Sequence, residues 1–526
     1  MNWKMLLLLG LCSCEQPTPR PAEVNSGGVS WLRTSIALKG LTSLPTVIAE
    51  VNGGGLAVDD FDHDGDDDLI VATPGTMTTS GILNFYRSNG NGTFAADTPS
   101  TFAEATGWLT GLATADFDQD GHLDLVVGRI GTDLLFQGAP NGFATPIELP
   151  GDGWTTSIAA ADLDGDGDTD LVRVRYLVFD PNDPPPPSTY KGIKVLGGPH
   201  GLVAEGDDIL WNEPEGFRTE PLSGKPSFGL NVQVLDLNAD GRLDVLIGND
   251  SQGNHAYFRT DNAWRERAAA VGLAGNGDGM GQATMGMAVS DFNNDGQPDL
   301  FSTNFSADTN TLLESVGNGF FADRTAVRGL GVNSRPLLGW SAQFGDVDLD
   351  GDEDLLFVNG HVYPQATPNT MGSAWEQPTI MMRRDRNRFV RDESFSSASE
   401  QGRLAVLFDA DGDHDLDLVT VSRDGAVTLH TAKPSAEAGR GCTIRFPDEF
   451  RGRRVQIFAG KSSHVRWVPS GGGFQSSSPP VVHVCVPDGP LEIKPDGVAK
   501  QVYTVDSNAR SRSVIWDTSS TTNSTP

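Results

Sequence analysis

The sequence predicts an all-β chain, a seven-bladed β-propeller followed by a small C-terminal β domain. Three observations predict it. One nine-residue acidic loop recurs seven times, each copy lies between short hydrophobic strands, and 62 glycines and 32 prolines in 526 residues favour tight turns over long helices. Composition sets the outer bounds. With 38% apolar and 21% charged residues the chain can bury a core. Its 38 basic and 70 acidic side chains leave a net charge of −32, which argues against nucleic acid or an anionic membrane surface as partner, since both call for clustered Lys and Arg.

At the N-terminus, Lys4 precedes an apolar run from Met5 to Leu9, then Gly10, Leu11, Cys12, Ser13 and Cys14. A short basic region, a brief apolar stretch and small residues read as an export signal over 1–14, too short to span a bilayer. The string Leu11-Cys12-Ser13-Cys14 resembles a bacterial lipobox, which implies lipidation of Cys14 and anchoring at the cell envelope or surface. Ordinary cleavage and secretion is the alternative. Residues 15–28, with Pro17, Pro19 and Pro21 and no hydrophobic periodicity, read as a tether.

The loops begin at Asp60, Asp116, Asp162, Asp236, Asp291, Asp346 and Asp409, 46 to 74 residues apart, as a stacked or circular repeat requires. Positions 1, 3, 5, 7 and 9 present oxygens. They are Asp60, Asp62, Asp64, Asp66 and Asp68 in the first loop, and Asp116, Asp118, Asp120, His122 and Asp124 in the second. The third carries Asp162, Asp164, Asp166, Asp168 and Asp170, and the fourth Asp236, Asn238, Asp240, Arg242 and Asp244. The fifth has Asp291, Asn293, Asp295, Gln297 and Asp299, the sixth Asp346, Asp348, Asp350, Asp352 and Asp354, and the seventh Asp409, Asp411, Asp413, Asp415 and Asp417.

Calcium is a hard cation that takes six to eight oxygens, and this spacing wraps five around one ion. Position 7 donates its backbone carbonyl, so His122, Arg242 and Gln297 are tolerated there. Glycine at position 6 permits the sharp turn in six copies; His414 replaces it in the seventh, which is expected to be the weakest site. Position 12 is Val71, Val127, Arg173, Ile247, Ser302, Phe357 or Thr420, never the bidentate Glu of an EF-hand. Plain Asp-Gly hairpins are the other reading, but turn chemistry asks for one or two such residues, not five in seven copies. Up to seven calcium ions are therefore expected.

Strands such as GLAVDD and DLIVAT flank the loops, and four short strands per repeat make a propeller blade. The seventh repeat lacks an outer strand, so the segment from Val29, with WLRTSIAL, is expected to complete it and close a wheel spanning 29–434. The stretch DPNDPPPPSTY, with Pro184 to Pro187, is expected as an insertion on the rim. Residues 435–507 form the small β domain, and 508–526 are expected to be disordered. Cys442 and Cys485, in an exported chain, are expected to pair, closing a loop of about 44 residues worth roughly 4 kcal/mol; two buried thiols are the alternative.

These residues resemble FG-GAP/VCBS repeat propellers, related to the integrin α headpiece. The stretch from Gly279 to Pro434, with MGMAVSDFNNDGQPDLFSTNFSADTNTLL and LGWSAQFGDVDLDGDEDLLFVNGHVYPQ, is similar to bacterial relatives of cartilage acidic protein. The stretch from Gly452 to Gly489 resembles the ASPIC/UnbV domain that follows such propellers, although its cysteines depart from the usual pattern. The resemblance implies exported, calcium-binding proteins of adhesion or recognition.

No HExxH, GxSxG or P-loop is present, and no catalytic residue is assigned. His361 in NGHVYP reads as a hydrogen-bonded loop histidine, with a pocket ligand as the alternative. Trp108, Trp154, Trp340 and Trp375 read as blade packing rather than sugar platforms. The expected function is a monomeric, calcium-binding extracytoplasmic scaffold that engages a protein or glycan. The alternatives are a polysaccharide lyase or hydrolase working at the propeller's central mouth, or a structural part of an envelope assembly.

Overall fold

A computed structural model describes residues 29–36, 41, 43–261, 263–435, 438–486, 490–504 and 513–516. The export signal, Cys14 and the tether lie outside them. The described chain is built almost wholly of β-strands, in seven four-stranded antiparallel sheets and a C-terminal β domain. Each sheet opens with an inner strand that runs into one acidic loop: Gly55–Asp59, Trp108–Ala115, Thr155–Ala161, Gly229–Leu235, Met287–Ser290, Gly339–Gly345 and Gly402–Phe408. These seven strands adjoin in chain order, and the last adjoins the first, so the ring closes. We number the sheets as blades 1 to 7. Between blades lie apolar layers; Ala57, Ile70 and Phe85 of blade 1, for instance, pack on Leu112, Leu125 and Phe136 of blade 2.

The N-terminal strand Ser30–Ile36 pairs along its whole length with Val427–Lys433, from Ser30 against Lys433 to Ile36 against Val427. It supplies the outer strand that the seventh repeat lacks. The wheel is thus latched by chain segments some 400 residues apart.

The insertion in blade 3 is not on the rim. Its hairpin, Ser188–Tyr190 with Ile193–Val195, packs Tyr190, Ile193 and Val195 against Tyr363, Ala366 and Met371 of an excursion from blade 6. Blades 3 and 6 stand three places apart in a ring of seven, so this contact crosses the wheel's face. Lys191 Nζ donates to the Met371 carbonyl at 2.7 Å, and Tyr190 meets Phe305 of blade 5 edge-on at 5.9 Å. The prolines forbid a central strand as expected, but the apolar residues that follow them need burial, and the upper face provides it.

The C-terminal domain has two small sheets around a core of Cys442, Ile444, Val455, Ile457, Val484, Leu491 and Ile493. It takes in part of the expected tail. Ser513–Ile515 pairs in parallel with Gly441–Arg445, and Trp516 is buried between Phe446 and Phe450; Val514 and Trp516 alternate inward while Ile515 between them stays exposed. The expected disulfide does not form. Cys442 pairs with Val484 and Cys485 with Gly441, so the cysteines are one residue out of register and their side chains leave opposite faces of the sheet. Cys442 enters the domain core, whereas the Cys485 thiol donates to the Leu349 carbonyl of blade 6 at 3.1 Å.

Candidate metal centres

All seven acidic loops emerge on one face of the wheel, each joining the inner strand of its blade to the second. Their shape comes from the first aspartate. Asp60 accepts the amides of Asp64 and Gly65 at 3.1 Å each, and Asp116, Asp236, Asp291 and Asp346 accept the amides of positions 5 and 6 in the same way. This turn needs two left-handed residues. Position 6 has φ between +80° and +98° in the six glycine copies and +61° at His414, so histidine holds the glycine conformation in the seventh loop. Position 4 is also left-handed in every copy, at His63, Gln119, Gly165, Ala239, Asn294, Leu349 and Gly412. Its mixed composition concealed that requirement in the sequence.

The folded loops gather the expected oxygens. Carboxylate oxygens of Asp60, Asp62 and Asp64 lie within 4.8 Å of one another, as do those of Asp346, Asp348 and Asp350. Trios of positions 1, 3 and 9 meet the same limit at Asp116, Asp118 and Asp124, at Asp162, Asp164 and Asp170, and at Asp409, Asp411 and Asp417. Among the described residues the fourth and fifth loops form no carboxylate trio; Asn238 and Asn293 stand at their third position. Arg242 turns its side chain to Asp240 at 2.9 Å and Asp261 at 2.8 Å, leaving only its carbonyl for an ion.

A divalent cation fits these cages. Asp68 Oδ2, Asp168 Oδ1, Asp348 Oδ1 and Asp411 Oδ1 are buried without a hydrogen-bond partner, a costly state for a carboxylate unless a cation completes it. Burial, aggravated by neighbouring carboxylates, pushes Asp68, Asp124 and Asp170 up to about 7 and Asp244 and Asp299 up to about 8. Asp354 and Asp417 are raised for the same reason. A bound cation would reverse that cost and supply the charge that holds the loop together.

Position 9 has a second task that the sequence did not reveal. Asp124 accepts the Phe117 amide at 2.9 Å and the Gly138 amide at 2.7 Å, and Asp170, Asp244 and Asp417 bridge position 2 to the third strand in the same manner. The aspartate is a staple between loop and blade as well as a candidate ligand.

The C-terminal domain sits on this loop face and meets every loop. Arg445 pairs with Asp59 at 2.8 Å and with Asp67, and Asp448 accepts the Asp116 amide at 3.0 Å. Arg453 lies 3.6 Å from Asp162, and Gly452 approaches Val234 and Leu243 beside the fourth loop. Arg454 donates to the Gly296 carbonyl at 2.9 Å, Arg466 pairs with Glu353 at 3.1 Å, and His483 hydrogen-bonds the His414 carbonyl.

From this cap the run Ser470–Ser478 enters the central channel as a plug. Inner-strand amides of Leu56, Ala160 and Met287 donate to the carbonyls of Gln475, Ser470 and Gly473 at 3.3, 2.8 and 3.1 Å. Ser476–Ser477 adds a short parallel strand to blade 1. Phe474 is fully buried against Trp340, ring centroids 4.9 Å apart. Gly473 is required here, since a Cβ would lie 2.3 Å from the Ala342 carbonyl oxygen. The string SGGGFQSSS carried this signal, a glycine run around one aromatic, but nothing local says what it enters.

His361 is a buried loop histidine. Its Nδ1 accepts the Tyr363 amide at 3.1 Å, so Nε2 carries the proton and faces Ser306 Oγ at 3.2 Å; in that tautomer it is no base for the serine. Trp154 and Trp340 are buried in the wheel, and Trp108 and Trp375 partly so. No described helix is long and apolar enough to cross a membrane.

Comparison with known proteins agrees with the repeat geometry. A family model of the FG-GAP-like repeat matches residues 60–127, 123–172, 236–302 and 291–357, which take in the first six loops. Cartilage acidic protein 1 of Xenopus tropicalis is 22% identical over 459 residues, covering 82% of this chain and 67% of that protein. The Mus musculus and Homo sapiens proteins are each 23% identical, over 49% and 48% of this chain but only 40% and 38% of their own length. Among solved structures, BBS1N in complex with ARL6DN shares 10% identity at a TM-score of 0.43, over 77% of this chain and 98% of that one. Bacillus licheniformis rhamnogalacturonan lyase PL11 shares 12% at 0.39, over 76% and 75%. An Agrocybe aegerita lectin recognising non-reducing terminal N-acetylglucosamine shares 15% at 0.40, over 69% and 88%. At these TM-scores the structural likenesses carry no argument about activity. The chain thus carries FG-GAP-like repeats in the two stretches that the family model matches, and over most of its length it is similar to cartilage acidic protein 1.

Proposed function

We propose that the protein is an exported calcium-binding scaffold that recognises a protein or glycan. The observation that carries the calcium reading is the set of five carboxylate trios with oxygens within 4.8 Å, four of their loops holding a buried carboxylate oxygen without a partner. The apolar run before Cys14 supports export, and the lipobox-like string supports a lipid anchor as the one membrane contact. The cap covers the loop face and the plug occupies part of the channel, which favours the upper face and the rim for an external ligand.

Calcium removal tests the reading. A site filled at a hundred times its Kd adds about 2.7 kcal/mol of stability, so chelation should lower the melting temperature steeply. Elemental analysis of calcium-equilibrated protein should find several ions per chain. An unchanged melt after verified metal removal would refute the reading. Pull-down from calcium-containing membranes, set beside a glycan array, distinguishes a protein from a glycan ligand.

A further inference from the structure

We propose that Arg445 and Arg466 of the cap are positioning residues for the ion loops, coupling the seating of the C-terminal domain to calcium in the first and sixth loops through Asp67 and Glu353. The coupling rests on the calcium reading above.

The argument begins at position 8 of the loop. Positions 7 and 9 are candidate ligands, and in extended chain the residue between them points the other way. Position 8 is Leu123, Thr169, Leu243, Pro298 or Leu416 in five copies, and acidic only in the first and sixth, as Asp67 and Glu353. Both acids meet a cap arginine. Arg445 holds Asp67 and, at 2.8 Å, Asp59, the residue just before the loop; Arg451 reaches Asp59 at 3.5 Å. Arg466 Nε lies 3.1 Å from Glu353 Oε1, while Glu353 Oε2 accepts the Ser290 hydroxyl at 2.8 Å. Asp59, Glu353, Arg451 and Arg466 are all buried, so each pair depends on its partner staying in register.

A cation in the first or sixth loop fixes positions 7 and 9 and therefore the acid between them. Without it, crowded carboxylates repel, the loop relaxes, and Asp67 and Glu353 swing off their arginines. The cap then loses two of its charged contacts with the loop face, and Ser470–Ser478 withdraws from the channel. Linkage makes the effect reciprocal: what seats the cap tightens the ion, and what frees the cap loosens it.

The sign of one substitution separates this from simple electrostatics. Arg445 and Arg466 are positive charges beside cation sites. If they act only by charge, Arg445→Met and Arg466→Met tighten calcium binding. If they act by seating the cap, both weaken it, and coupling energies of the usual size give about a five- to hundredfold loss.

The experiment uses the full chain. Elemental analysis first establishes that the wild type binds calcium. Hydrogen exchange of the Leu56, Ala160 and Met287 amides, which face the plug, is then followed with and without calcium, and calcium affinity is measured for wild type and both variants. Faster exchange at these three amides on calcium removal, with weakened calcium in the variants, is the expected result. Bound calcium with unaltered exchange at the plug, or variants with equal or tighter calcium, overturns the coupling but leaves the calcium reading standing. Absence of bound calcium in the wild type overturns both. The exchange comparison needs no substitution, so the coupling remains falsifiable even if a variant fails to fold.

Discussion

Two regions of this wheel crowd carboxylates together, and they solve the resulting repulsion differently. On the upper side, Asp133 of blade 2 and Glu205, Asp207 and Asp208 of blade 3 gather around arginines of blade 3. Arg173 meets both oxygens of Asp208 at 2.9 Å and Asp133 at 3.2 Å, and Arg175 reaches Asp208 at 2.8 Å. That cluster carries its counter-charge in the sequence. On the lower side the cages at Asp116 and Asp409 hold trios of oxygens with no guanidinium paired to them among the described residues, and on the calcium reading proposed above their counter-charge comes from outside. The sixth loop lies between these cases, since Arg383 touches Asp348 at 2.8 Å and Asp354 at 3.0 Å. A built-in cation makes a permanent brace; an imported one makes the brace conditional on the medium. On the calcium reading, the face that the cap covers is the conditional one.

Three substitutions sharpen this contrast, and the largest effect is expected on the lower side. Phe474→Ala empties the centre of the plug against Trp340 and should cost about 3–5 kcal/mol, read by thermal melting in calcium. If the cap and plug respond to calcium as a unit, this variant also flattens the calcium dependence of the melt. On the upper side, Met371→Ala removes a buried side chain from the bridge between blades 3 and 6 and should cost about 2–3 kcal/mol while leaving calcium affinity untouched. A change in calcium affinity there would abolish the distinction between the faces.

The smallest effect isolates one upper carboxylate. Asp207 is buried, its carboxylate accepts the Arg175 amide at 3.0 Å and no other hydrogen bond among the described residues, and burial pushes it up to about 7. Its folded value is raised, so its native state favours the proton. The stability it contributes is complete below the ordinary carboxylate range near 3.8 and is lost as pH rises through about 7. Asp207→Asn removes that loss and should be stabilising at pH 8 relative to pH 5 by roughly 1–3 kcal/mol, measured by melts at the two pH values. Equal shifts at both pH values would show that this carboxylate needs no proton.

The blades and their closure were legible in advance for local reasons. Alternating oxygens, a turn glycine and apolar flanks are properties of nine to twenty consecutive residues, and they recur. The outer strand of blade 7 was legible by subtraction, since one repeat was a strand short and the segment at Trp31 was a strand to spare. The left-handed requirement at position 4 was not, because Leu349 and Ala239 occupy it beside glycines and leave no compositional mark. The cysteines were expected to pair because the chain reads as exported, but a one-residue register offset, which the linear order does not contain, puts their side chains on opposite faces.

By itself, the sequence determined that this protein is a repeating β chain with seven oxygen-rich loops and a strand held in reserve to close it. Those facts depend on short-range spacing, which the linear order contains. Only the tertiary structure decided that the C-terminal domain caps the loop face, that Ser470–Ser478 enters the channel, and that the insertions of blades 3 and 6 meet across the opposite side. These arrangements join residues up to several hundred positions apart, through charge pairs and buried contacts that follow no period and so leave no trace until the chain is folded.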